Sequence, residues 1–135
     1  MKIELSNKEF RHMLDLIYIG NWILNSIRGN DRFEAYDKLQ EKLFGLCRTN
    51  GMNSLIKVSD AKVSPSRAYE DGGIHEAIAE YEDAIFFEIL AEELARRDMN
   101  FESISLENIS ELSERIDEYI SEFEKNGVEN ISLDL

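Results

Sequence analysis

Glu88 and Glu92 stand one helical turn apart in the segment EAIAEYEDAIFFEILAEELARRD, residues 76–98. Two carboxylates at that spacing leave a helix on the same side, where they can share a divalent cation or meet an arginine. At about 100° of rotation per residue, Glu76, Glu80 and Asp83 fall within roughly 60° of one another as a separate carboxylate stripe. Ala77, Ala84, Ala91 and Ala95 make a small-residue stripe, and Ile74, Ile78, Ile85 and Ile89 make a third on the far side. Glu88 and Glu92 lie between those two stripes, beside Tyr81, so inward packing of both would bring the two acids to the edge of a core. A carboxylate there must neutralise, bind a metal, or pair with an arginine such as Arg28, Arg32 or Arg67. Ion pairing is the commoner outcome, and Glu76, Glu80 and Asp83 read as a solvated face.

Glu80-Tyr81-Glu82-Asp83 resembles the E-x-x-D half of the paired motifs with which all-α nucleotide pyrophosphohydrolases hold magnesium against a triphosphate. The resemblance covers four residues, and no E-x-x-E pair precedes them, because Glu34, Asp37 and Glu41 are spaced otherwise. It implies magnesium as cofactor with Glu80, Asp83, Glu88 and Glu92 as its ligands; without it the residues imply no cofactor. Glu9-Phe10-Arg11-His12 has the E-x-x-H spacing that di-iron bundles use in pairs, but there is no second such unit. His12 and His75 therefore read as surface histidines. Cys47 falls on the apolar side of its helix, where a thiol is buried and inert. There is no G-x-S-x-G elbow, P-loop or G-x-G-x-x-G turn, and no residue is assigned a catalytic role. The Gly72-Gly73 turn is surrounded by Glu70, Asp71 and Glu76, which repel phosphate.

Two other groups suit binding better than chemistry. Tyr18 and Trp22, one turn apart among Arg11, Asp15 and Asn25, have the composition of a protein-interface anchor. Arg48, Lys57, Lys62 and Arg67 form a basic island in the irregular segment 48–73, placed either to offset the acidic helix or to act as an anion-binding lid.

Helical periodicity positions these groups, predicting helices at about residues 7–28, 32–48, 74–97 and 106–126. Ser6 and Glu9 form a capping box for the first, and Asp31 and Glu34 a second. The first helix presents Phe10, Met13, Ile17, Leu24 and Ile27 as its apolar side. The second buries Phe33, Tyr36, Leu39, Leu43, Leu46 and Cys47, and the fourth uses Leu106, Ile109, Leu112, Ile116, Tyr119, Ile120 and Phe123. Ile3 and Leu5, like Ile131, Leu133 and Leu135, alternate with polar neighbours. The expected fold is mainly α, a four-helix bundle-like single domain over 1–135. A small β element would be formed by the chain termini, with residues 55–58 as a further strand.

The chain carries 15 Lys/Arg against 28 Asp/Glu, a net charge of −13. Residues 1–69 hold 11 basic and 8 acidic side chains, whereas residues 70–135 hold 4 and 20. Such an excess disfavours direct contact with nucleic acid or anionic membrane and favours a basic protein partner. A lone cysteine, the lack of an apolar leader in MKIELSNKEF and the lack of a membrane-length apolar run suggest a cytoplasmic protein. The functional expectation is an interaction or regulatory module acting through a protein partner or self-association. It would be a homodimer, an adaptor or an immunity-type inhibitor of a basic effector. The alternatives are the magnesium-dependent phosphohydrolase and a DNA mimic whose carboxylates stand for phosphates.

Overall fold

The first helix begins where the chain can satisfy its free amides. Ser6 Oγ accepts the Glu9 amide at 3.3 Å, and the Glu9 carboxylate accepts the Ser6 amide at 2.8 Å. A computed structural model describes residues 1–135, with helix α1 at Asn7–Asn25. Helix α2 spans Glu34–Gly45 and tightens into a 3₁₀ turn at Leu46–Arg48. Strands β1 (Ile56–Ser59) and β2 (Lys62–Pro65) pair as an antiparallel hairpin. A single helical turn at Arg67–Tyr69 and a wide turn through Glu70–Ile74 lead into α3, His75–Asp98. Helix α4 spans Ile109–Asn126. The fold is mainly α, with four helices and one small two-stranded antiparallel sheet. No helix is long and apolar enough to cross a membrane.

The β element is not where the terminal alternation puts it. Residues 1–6 and 127–135 contain no strand, and the sheet is the hairpin of residues 56–65. Alternation over a few residues cannot form a ladder without a partner. The hairpin supplies its own through a two-residue turn, with Ile56 opposite Pro65 and Ser59 opposite Lys62. Helix ends also differ from the periodic reading. Helix α1 stops at Asn25, and the Asp31–Glu34 capping box does not form. Asp31 instead accepts from Arg28 at 3.0 Å and from the Gly29 amide at 3.2 Å, and α2 starts without a side-chain cap.

The chain divides into two compact units, Met1–Ile78 and Ala79–Leu135, and each has its own core. In the first, Phe10, Leu14, Tyr18, Phe44, Cys47, Tyr69, Ile74 and Ile78 pack together. Helix α1 is therefore turned relative to its apolar periodicity. Its buried side is Phe10, Leu14, Tyr18, Asn21 and Asn25, while Ile27 is exposed and Met13, Ile17 and Leu24 are half-buried. Phe33, Tyr36, Leu39 and Leu46 are likewise exposed, and Phe44 and Cys47 carry the burial on their side of the core. In the second unit Ala95, Met99 and Leu112 are buried, with Ile104, Ile116 and Tyr119 packed against them. Phe123 is buried too, its ring 5.4 Å from that of Phe87, whereas Leu106 and Ile109 are exposed.

The hairpin turn carries a correctable strain. Asp60 and Ala61 both have positive φ, 51° and 62°, the conformation of a tight hairpin turn that favours Asn-Gly. A left-handed alanine costs on the order of 1–2 kcal/mol. Ala61→Gly is expected to raise stability by about 0.5–1 kcal/mol after the larger entropy of an unfolded glycine is counted. Urea unfolding measures this, and a loss of stability would refute the turn geometry.

Candidate functional site

The buried side of α1 is a polar ladder, and pairing explains why it can face inward. Arg11 pairs with Asp15 one turn on, and Asp15 Oδ1 also accepts the Tyr69 hydroxyl at 2.8 Å. The Arg11 guanidinium lies 4.7 Å from the centre of the Tyr69 ring. Two turns along, Asn25 Nδ2 donates to Asn21 Oδ1 at 2.7 Å, and Asn21 donates to Asp37 at 3.0 Å and Gln40 at 3.2 Å. Arg32 closes this group with hydrogen bonds of 2.9 and 2.8 Å to the two Asp37 oxygens. Held by Arg32 and Asn21, the Asp37 carboxyl is pulled down to about 2. Every buried side-chain nitrogen and oxygen in the molecule has a hydrogen-bond partner.

Tyr18 and Trp22 belong to the same side, so they are not the free interface anchors that their spacing suggests. Tyr18 is only 6% exposed and Trp22 is half-buried. Their rings stack 6.3 Å apart, and His75 stands edge-on to both, at 5.6 Å from Tyr18 and 4.9 Å from Trp22. The Tyr18 hydroxyl lies 2.7 Å from His75 Nε2 and 3.4 Å from Glu70 Oε1. One hydroxyl proton serves one of them, so donation to Glu70 requires the proton to sit on His75 Nε2. Burial, followed by the Glu70 charge, pushes the Tyr18 phenol up to about 12. His75 is thus a half-buried member of an aromatic cluster and not a surface histidine. Glu70, Tyr18, Trp22, Asn21, Arg32 and Gln40 border a cleft of about 210 Å³ in the first unit. Residues 52 and 57 positions from Tyr18 meet it there. No local spacing signals such contacts.

The acids of α3 lie elsewhere. Glu80, Asp83, Glu88 and Glu92 are all exposed. Glu92 meets an arginine, but the partner is Arg96 on its own helix, at 2.6 and 2.8 Å. The expected inward packing fails because the stripes are covered unevenly. Ala91 and Ala95 are fully buried, while Ala77, Ala84 and Ile89 are exposed. No three of the His, Cys, Asp and Glu side chains converge in a geometry able to hold a metal. Glu9, turned back onto Ser6, does not join His12. Ala84, Phe87, Glu88, Ile120, Phe123 and Glu124 line a cleft of about 330 Å³ in the second unit. Along α4, Glu114, Asp117, Glu118 and Glu122 line a further shallow groove.

The basic island does not form one anion site. Arg67 is held by Asp71 at 3.3 Å, and Arg48 ends the 3₁₀ turn. Lys57 and Lys62 share one face of the hairpin, since Lys57 sits opposite Ser64 and Lys62 opposite Ser59. Lys62 also borders a groove with Glu34, Asp37 and Glu41, so its nearest groove is mixed in charge. Cys47 is fully buried, as its helical position predicts, and burial raises its thiol pKa.

Compared with models of protein families, with curated proteins and with solved structures, the chain has no significant match.

Asn25 is the tie between α1 and the start of α2. It is 1% exposed, its Oδ1 accepts the Phe33 amide at 2.8 Å, and its carbonyl accepts from Arg32 at 3.1 Å. Asn25→Ala leaves the Phe33 amide and the Asn21 amide oxygen without their partner, and is expected to cost about 2–3 kcal/mol. Thermal or urea denaturation checks this, and an unchanged midpoint would contradict it.

Proposed function

We propose that the chain is an interaction module whose second unit binds a basic segment of another protein. The observation that carries this reading is the partition of charge between the units. Met1–Ile78 holds 11 basic and 11 acidic residues, while Ala79–Leu135 holds 4 and 17, so the whole net charge of −13 belongs to the second. A field that one-sided steers and selects a cationic partner.

The Phe87, Ile120 and Phe123 cleft supports a more specific form of the proposal. A lining of Phe87, Ile120 and Phe123 together with Glu88 and Glu124 matches an amphipathic segment that inserts an apolar side chain and sets lysine or arginine against the carboxylates. An adaptor and an inhibitor of a basic effector are both forms of this function. The proposal includes a cytoplasmic setting, supported by a single cysteine that cannot form an internal disulfide.

Fluorescence anisotropy with a labelled basic amphipathic peptide and its charge-reversed counterpart tests the reading. The basic peptide is expected to bind, with affinity that falls as salt rises, and the acidic one is not. Glu88→Gln with Glu124→Gln is expected to weaken binding about three- to tenfold, as two exposed ion pairs would. Glu34→Gln with Glu76→Gln, which removes two exposed acids of the first unit, is expected to leave it unchanged. Absence of binding, insensitivity to salt, or equal effects of the two pairs would overturn the proposal.

A further inference from the structure

Helix α1 carries an apolar face that its own unit leaves uncovered. Leu16, Ile23 and Ile27 are 72%, 60% and 86% exposed, and no charged residue occurs between Leu16 and Ile27. At the centre of this face is Gly20. Glycine within a helix is unfavourable by roughly 0.5–1 kcal/mol relative to alanine. Nothing in the fold requires it: a Cβ at Gly20 would meet no atom within 4 Å, and its φ is not in the left-handed region. A glycine at such a position is suited to the close approach of another backbone.

The residues around Gly20 are arranged symmetrically. Three, four and seven positions before it stand Ile17, Leu16 and Met13; three, four and seven positions after it stand Ile23, Leu24 and Ile27. All six are apolar; at helical spacing Met13, Leu16, Ile17, Ile23 and Leu24 flank Gly20 on one side of α1, and Ile27 continues that side in the turn that follows. An antiparallel helix pair with its two-fold axis at Gly20 sets each of these residues against its mirror position in the other copy. A two-fold interface requires that self-complementarity, and this stripe meets the requirement. Charge points the same way. The first unit has 11 basic and 11 acidic residues, so its own charge does not oppose the approach of a second copy.

We infer that the chain forms a homodimer in which α1 packs antiparallel against α1 of a second copy, crossing at Gly20. This interface uses a different unit from the basic-segment site and does not depend on that proposal.

Sedimentation equilibrium of the full chain over a range of concentrations tests the inference. The wild type is expected to be a reversible dimer. Gly20→Ala is expected to weaken dimerisation at least about tenfold while raising helix stability, because its methyl group fits the monomer and obstructs only the crossing. Ile23→Glu is expected to give a folded monomer, with circular dichroism confirming the helix content. A wild type that stays monomeric overturns the inference, even where an added amphipathic peptide binds the Leu16 face. So does a dimer that both substitutions leave unchanged, because its interface must then lie elsewhere.

Discussion

The hydroxyl of Tyr69, donated to Asp15 beneath the Arg11 guanidinium, is the contact on which the first unit depends. Tyr69 is fully buried, and its ring meets Phe44 edge-on at 5.1 Å and Tyr18 at 5.3 Å. One side chain thus joins α1, the end of α2 and the segment that enters α3. It also sets the side of α1 that faces inward. Asp15 is half-buried at the edge of the core and needs a donor there, and Tyr69 is that donor as well as a large apolar ring. With Tyr69 in place, Glu70 and His75 come to rest against Tyr18 and Trp22. Burial, followed by the hydrogen bond to Asp15 and its charge, holds the Tyr69 phenol far above its ordinary range, so the donor keeps its proton.

That inward turn of α1 has a consequence for the outside. Because the polar ladder is satisfied within the unit, the helix is free to leave Leu16, Gly20 and Ile23 in solvent, with Ile27 in the turn beyond it. The same physical event therefore makes the core and exposes the apolar face. The second unit has the opposite character, with a small core around Ala95, Met99 and Leu112 and a surface dominated by carboxylates. Its ion pairs lie mostly along single helices, Glu92 with Arg96 and Glu111 with Arg115, and exposed pairs of this kind add little stability. Those acids are better understood through the field they make together than through the contacts they form.

Helix identity was legible in the sequence, and the facing of α1 and α3 was not. Ser6 and Glu9 announce the start of α1, and the spacing of Leu112, Ile116 and Phe123 announces α4 and its inner side. Periodicity failed on α1 because it scores apolarity alone, and the buried side joins Phe10, Leu14 and Tyr18 to Asn21 and Asn25, whose cost of burial is offset by partners on α1 itself and around the start of α2. Glu88 and Glu92 were placed near a core by phasing that assumed both stripes of α3 pack inward. Only part of each does: Ile74 and Ile78 are buried in the first unit and Ala91 and Ala95 in the second, while Ala77, Ala84 and Ile89 are exposed. His75 is the plainest case: alone it is an ordinary histidine, and only the return of the chain past Tyr69 brings it to Tyr18 and Trp22.

The central claim is that the Tyr69–Asp15 contact sets the inward face of α1 and with it the cluster around Trp22. Trp22 is the chain's only tryptophan, so its fluorescence reports that cluster directly. Urea unfolding of Tyr69→Phe, followed at Trp22, measures the claim with the loss of a single oxygen. The account predicts a loss of about 1.5–3 kcal/mol, the range for a hydrogen bond to a charged group, together with altered Trp22 emission before unfolding. A midpoint and native emission spectrum identical to those of the wild type would contradict it.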